Sequence, residues 1–238
     1  MHLQELIDLE DKYWWHVAKR KLTTTLIQRH VPANSHIVEG GIGAAGNLLT
    51  WQSMGYRVTG LDFMPESIEH AKARGLIDVY QHDLHQPWPV APHSADGVVL
   101  LDVLEHLRDP VVAMQHAARS LSDNGKIIFT VPAYPWLFSD WDVRLGHFRR
   151  YTPAMLKKQV SEAGLQIELL RFWNAFTLPA AICLRLVRKI RPAKSGTEFP
   201  RVSRWLNSCL QNAAKIETKV AERIGLGFGL SLVGVIRR

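Results

Sequence analysis

The sequence predicts an α/β fold, a doubly wound and mostly parallel sheet of seven strands wrapped by helices. Three observations carry this expectation. Short apolar runs alternate with helix-length segments from His36 onward. The first of those runs, Ile37-Val38-Glu39, breaks into the glycine-rich bend Gly40-Gly41-Ile42-Gly43 ahead of a helix. A last apolar, partly β-branched run over residues 230–236 reads as a closing strand.

The elements follow in order. Residues 36–40 read as a strand, 45–54 as a helix, 56–61 as a strand, 66–74 as a helix opened by Pro65, and 77–81 as a strand. Strand 96–101, helix 110–121 and strand 126–131 come next, the last after the turn Ser122-Asp123-Asn124-Gly125. Thr152-Pro153 opens helix 153–163, Gly164 stops it, and residues 165–172 return as a strand. Before this core, residues 4–29 read as one or two helices. After it, 175–190 and 201–224 read as helices parted by residues 191–196. The single domain therefore divides into an N-terminal helical cap (1–34), a core (35–172), a basic helical insertion (173–229) and a final strand (230–238).

A chain of 238 residues with 47% hydrophobic and 21% charged side chains suits one elaborated α/β domain. The two cysteines, Cys183 and Cys209, lack the second pair a metal knot needs; they are expected as buried small hydrophobes in a reducing compartment. The N-terminus carries acids and no basic start with an apolar core, so no signal peptide is expected. The longest apolar stretch, near Ala180, is interrupted by Arg185 and Arg188 and is too short to span a bilayer. A cytoplasmic or membrane-peripheral location is expected. The charge is uneven: residues 1–170 hold 16 Lys/Arg against 19 Asp/Glu, residues 171–238 hold 13 against 3. The basic end reads either as a solvated helical face or as a surface for anionic membrane or a phosphorylated substrate. Nucleic acid is not expected, since no recognition motif accompanies the charge.

Glycine lets backbone approach a bound nucleoside, and Asp62, at the end of the second strand, is spaced to grip a ribose diol. Glu39 stands where a pyrophosphate would be repelled but an ammonium or sulfonium attracted. Asp83, after the third strand, is placed to accept from an adenine amino group. Three acids around one site favour S-adenosylmethionine over a nicotinamide dinucleotide, although Gly41-x-Gly43-x-x-Gly46 formally matches the dinucleotide fingerprint.

On these residues, with Gly60-Leu61-Asp62, His82-Asp83-Leu84 and above all Asp102-Val103-Leu104-Glu105-His106, the chain resembles the class I S-adenosylmethionine-dependent methyltransferases. It is most similar to the subgroup that includes ubiquinone-type O-methyltransferases. The resemblance implies a Rossmann-like fold. It also implies that Glu39, Gly41 and Gly43 cradle the methionyl part, Asp62 holds the ribose, and Asp83 with Leu84 flanks the adenine. Gly40, Asn47, Phe63 and Leu101 complete the expected cofactor site.

His106 and His147 are the candidate catalytic bases, since an imidazole poised near neutral pH suits an acceptor hydroxyl. Asp102, Glu105 and His106 have spacing compatible with a divalent cation, but such groups more often serve ordinary hydrogen bonds, and no metal is assigned. Tyr13 and Trp14, Tyr134 and Trp136, and Arg149, Arg150 and Tyr151 are the candidate substrate contacts, with Trp141 beside them. They describe a small, amphiphilic acceptor with an acidic end. The expected reaction is methyl transfer to a hydroxyl oxygen, in a monomer or homodimer. Glu39, Ile42 and Ala44-Ala45 depart from the usual motif, which keeps aminocarboxypropyl transfer or cofactor cyclisation open, and an NAD-linked oxidoreductase behind them.

Overall fold

Alternate residues of a strand point to opposite faces of its sheet, and in the central strands both sets are apolar. Val38, Val98 and Leu100 belong to one buried cluster and Ile37, Val99 and Leu101 to the other. Only a sheet covered on both sides satisfies that pattern. The computed structural model, which describes residues 3–190 and 202–238, has this architecture.

Strands β1 (His36–Gly40), β2 (Arg57–Asp62), β3 (Val79–Gln81), β4 (Ala95–Leu101), β5 (Leu121–Pro132), β6 (Gln166–Trp173) and β7 (Ser231–Arg237) form one sheet ordered β3-β2-β1-β4-β5-β7-β6. β1 to β5 are parallel, while β7 runs antiparallel between β5 and β6. On one face lie α5 (Pro110–Ser120) and α7 (Pro153–Glu162), burying Met114, Ala117, Leu156 and Val160. The other carries α2 (Trp14–His30), α3 (Gly46–Ser53), α4 (Pro65–Ala73) and α9 (Arg204–Ile224). The short α1 (Leu3–Leu9), α6 (Asp140–Arg144) and α8 (Leu178–Ile190) stand at the carboxyl end of the strands. The helix starts have local causes. Asp109 accepts from Val111 N (3.0 Å) ahead of Pro110, and Thr152 accepts from Met155 N (3.1 Å) ahead of Pro153.

The strand and helix expectations hold to within a few residues, with three differences. The stretch expected as the turn Ser122–Gly125 is absorbed into β5, where the pairing to β4 shifts register between Ala95 and Gly97. Residues 135–144, for which no helix was expected, fold into a short 3-10 turn and α6. Cys183 and Cys209, expected buried, are both exposed, because they lie on outward faces of α8 and α9. The parting of the two basic helices at residues 191–196 lies outside the described residues. Among the described residues, no helix is long and apolar enough to cross a membrane.

Candidate active site

β1 lies between β2 and β4, so the chain leaves its carboxyl end in one direction and later returns beside it from the other. Such switch points leave a crevice above the strands. Here the crevice is a cavity of about 1110 Å³, lined by the ends of β1, β2 and β4 and roofed by α1, α2, α6 and α8.

The glycine loop forms its floor. Gly41 and Gly43 have φ of +77° and +54°, and a Cβ on Gly41 would stand 2.6 Å from Val103 Cγ2, so both the torsion and the space demand glycine. Asp62 pins the loop: Oδ2 accepts from Gly43 N (3.0 Å) and Oδ1 from Met64 N (2.9 Å). Glu39 is fully buried. Its Oε1 accepts from Asn47 Nδ2 at 2.8 Å, while Oε2 has no hydrogen-bond partner. Burial pushes its pKa up to about 8, against the opposing hydrogen bond from Asn47. A buried carboxyl with one open oxygen is a receptor for a cation. From above, Leu6 covers Gly43, and Glu10 accepts from Gly46 N (3.0 Å) while pairing with Arg74.

Asp83 is half exposed at the cavity edge. Its Oδ1 accepts from His85 N (3.0 Å) and faces His85 Nδ1 (2.8 Å), and the backbone bond first, then the ring, hold its pKa down. Phe63, Leu84 and Leu101 line the same cavity. Gly40 alone of the expected cofactor residues does not; it sits inside β1, where a Cβ would crowd Leu100 and Leu84.

The second half of the cavity holds the titratable groups. Asp102 adopts φ +53°, unusual for a residue with a side chain. Its Oδ2 pairs with Lys19 Nζ at 2.6 Å and its Oδ1 accepts from Thr130 Oγ1 at 2.9 Å. Burial would raise its pKa, but Lys19 and Thr130 outweigh that and lower it. Glu105 is completely buried with neither carboxyl oxygen hydrogen-bonded, and burial, then repulsion from Asp102, raise its pKa well above the usual range. His16, enclosed beside Lys19, is pushed down to about 3 and stays neutral.

His106 and His147, far apart in sequence, meet edge to face with ring centroids 4.6 Å apart. His147 Nδ1 lies 3.1 Å from Oδ1 of the buried Asp142. Burial works against ionising Asp142, yet His147, Arg150 (2.6 Å) and Arg185 (3.4 Å) hold its pKa down to about 2. An ionised carboxylate only accepts, so Nδ1 carries a hydrogen, and in the neutral ring Nε2 holds the lone pair. His106 is open to the cavity; the enclosing protein, then repulsion from His147, lower its pKa. Glu105, His106 and His147 each offer one ligand atom within 4.8 Å of the others, a set suited to proton exchange or to a cation. Asp102 stands outside that set, spent on Lys19 and Thr130.

The expected substrate residues divide. Tyr13, Trp14 and Trp141 line the cavity, and Arg150 reaches it while bound to Asp142 and Ala133 O (3.1 Å). Tyr134, Trp136, Arg149 and Tyr151 do not line it. Tyr134 stacks on Phe172 (5.6 Å) and Trp136 faces solvent. Arg149 donates to Arg108 O (2.9 Å), and buried Tyr151 donates to Leu104 O (3.1 Å). The apolar walls come instead from Leu145, Phe148, Ala180, Ala181 and Leu184. Sequence reading passed over Lys19, Asp142 and Arg185. Only Asp142 left a local signal, the capping box Ser139-x-x-Asp142.

Residues 14–170 match the model of a methyltransferase domain family. A protein described as a probable S-adenosylmethionine-dependent methyltransferase from Mycolicibacterium smegmatis is 26% identical over 162 residues, covering 67% of this chain and 62% of that protein. Ubiquinone biosynthesis O-methyltransferase from Xanthomonas euvesicatoria is 27% identical over 147 residues, 53% of this chain and 62% of the relative. The alignments thus span under two thirds of either relative's length. Among solved structures, a chain of the complex between the Haloferax volcanii Trm112 methyltransferase activator and its methyltransferase superposes with a TM-score of 0.64. It is 20% identical, and the match covers 97% of this chain and 92% of that one, a likeness of fold alone. The family match extends over more than half of the sequence and coincides with the glycine loop, the strand order and the cavity just described. The chain belongs to the methyltransferase domain family, whose cofactor is S-adenosylmethionine.

Proposed function

We propose that this chain methylates a hydroxyl oxygen of a small amphiphilic acceptor, with His147 as general base. The observation that carries the reading is the Asp142–His147 pair, which holds by its Nδ1 an imidazole that lines an apolar chamber beside the cofactor loop.

The residues present fit the cofactor. Glu39 Oε2 is a buried oxygen without a partner, suited to the cationic methionyl portion, and the backbone of Gly41 and Gly43 lines the cavity beside it. Asp62 would hold the ribose, with Asp83 and Leu84 at the adenine. When bound, S-adenosylmethionine supplies a methyl group already activated by its sulfonium. The protein's own task is then alignment and proton management, and alignment supplies up to about 7–11 kcal/mol in favourable cases. Trp14, Trp141, Leu145 and Leu184 orient the acceptor and exclude water. His147 Nε2 takes the hydroxyl proton, Asp142 stabilises the imidazolium, and neutral His106 packs against its ring. Arg108, at the rim over the Phe148 ring (5.7 Å), takes the role of receiving an acidic end that the sequence suggested for Arg149 and Arg150.

The basic excess of residues 171–238 supports work at an anionic membrane surface. Incubation with S-adenosylmethionine and a panel of hydroxy acids and phenols tests the reading by mass spectrometry. A methylated acceptor with S-adenosylhomocysteine is expected; release of methylthioadenosine would instead indicate transfer of a different group and sink it.

A further inference from the structure

Helix α9 is amphipathic and seated the wrong way round for a soluble protein. Its polar side faces inward. Asn207 accepts from Trp14 N (2.8 Å) and donates to Lys12 O (2.8 Å), and Gln211 donates to the same carbonyl (3.4 Å). Glu217 accepts from the backbone of Ala175 and Phe176 at 2.9–3.1 Å. Between them only Ala214 enters the core.

At about 100° per residue, Trp205, Cys209, Ile216 and Val220 fall on one outward stripe roughly 60° wide. Trp205 is 76% exposed and Ile216 63%, with Val220 and Leu206 at 39% each. Arg204, Lys215 and Lys219 stand exposed along one flank of that stripe. A tryptophan and aliphatic stripe edged by cations is the arrangement of helices that lie in the headgroup layer of a bilayer. Charge decides between a lipid surface and a second protein. Thirteen Lys/Arg against three Asp/Glu beyond residue 170 complement an anionic membrane and repel another copy of the same face.

Resting on the reading that the chain works at a membrane surface, we propose that α9 docks its Trp205–Cys209–Ile216–Val220 stripe into an anionic bilayer and that the acceptor enters from that bilayer. The same helix fixes the walls of the cavity. Asn207 holds Trp14, and Glu217 holds the backbone leading into α8, whose Ala180, Ala181 and half-exposed Leu184 line the mouth. Docking therefore presents an apolar entrance to a membrane-resident amphiphile whose tail never has to enter water.

Cys183→Ser leaves Cys209 as the one thiol, and an environment-sensitive fluorophore there reports on the stripe directly. Mixed phosphatidylcholine–phosphatidylglycerol vesicles are expected to shift its emission to the blue, pure phosphatidylcholine vesicles far less. Ile216→Ser and Trp205→Ser should each weaken vesicle binding about tenfold. Lys215→Glu and Lys219→Glu should each weaken it at least roughly fivefold. Thermal melts of the variants establish that they fold. An unshifted probe, an equal response to neutral vesicles, or a soluble dimer dissociated by Ile216→Ser would overturn the proposal. Methylation of a water-soluble acceptor by the chain with its stripe intact separates the two readings: methylation without vesicle binding refutes docking alone, and vesicle binding without methylation refutes the reaction alone.

Discussion

Asp142 and His147 form a buried carboxylate–imidazole pair 3.1 Å apart, and the two arginines that share the carboxylate keep it ionised. The pair fixes the tautomer of His147 from outside the cavity. Asp142→Asn would preserve the shape but offer the ring an amide in place of a charge. In a methyl-transfer assay kcat should fall on the order of 10²-fold or more, with KM for the cofactor unchanged. Raising the assay pH should restore part of the loss, because the acceptor then sheds its proton unaided. A variant as active as the parent at neutral pH would remove His147 from the base role.

The same carboxylate predicts how stability responds to acid. Its pKa in the folded chain, about 2, lies below the ordinary value of 3.8, so its contribution is present above pH 4 and is lost as pH falls toward 2. Denaturant midpoints measured across that window should drop more steeply for the parent than for Asp142→Asn. Parallel curves would contradict the assignment.

Glu39 behaves in the opposite sense. With a folded pKa near 8 against an ordinary 4.5, it is mostly protonated at neutral pH, and the empty protein loses stability as pH rises between those values. A cationic ligand favours the ionised form. Binding of S-adenosylmethionine near pH 7 should therefore release up to about one proton, read by calorimetry in buffers of different ionisation enthalpy. Glu39→Gln should abolish that release and weaken binding roughly 10–100-fold.

Gly41→Ala should bind cofactor poorly, since the new methyl meets Val103 Cγ2 in a left-handed backbone. The torsion alone costs about 1–2 kcal/mol. Gly75→Ala shares the positive φ but finds no atom within 4 Å, so it should lose stability while keeping affinity. Equal affinities for the two variants would show that the space above Gly41 is not what the cofactor needs.

Tyr151 is expected to act on stability, not on the acceptor. Tyr151→Phe leaves Leu104 O only its long bond from Leu107 N (3.4 Å) and should cost about 1 kcal/mol in a melt. Its KM for the acceptor should match the parent's, whereas a direct substrate contact would raise it.

The part of the cavity around the glycine loop was readable because its residues follow strand ends, where a few neighbours in sequence decide the geometry. Glu39, Gly41, Gly43 and Asp62 are of this kind, and the hydrogen bond from Gly43 N to Asp62 joins two such ends. The part around the histidine pair was less so. Asp102 had a spacing compatible with a cation, but the partner it has, Lys19, comes from a helix 83 residues earlier. Tyr151 and Arg149 looked available because the carbonyls they bind, Leu104 and Arg108, are distant in the chain. For α9 the helix was legible, but not its facing: periodicity gives an apolar stripe and is silent on which way it turns.

The position of β7 has a consequence for how the chain acquires its fold. The last strand to be synthesised lies between β5 and β6, pairing Phe129 and Leu170 through the single residue Gly234. Until residues 231–237 are available, β6 has no partner and β5 presents an open apolar edge. The sheet can be completed only once residues 231–237 exist, with contacts of long sequence separation closing last. A nascent chain stalled before Ser231 would carry the glycine loop and the histidine pair on an unfinished sheet, vulnerable to aggregation through that same edge.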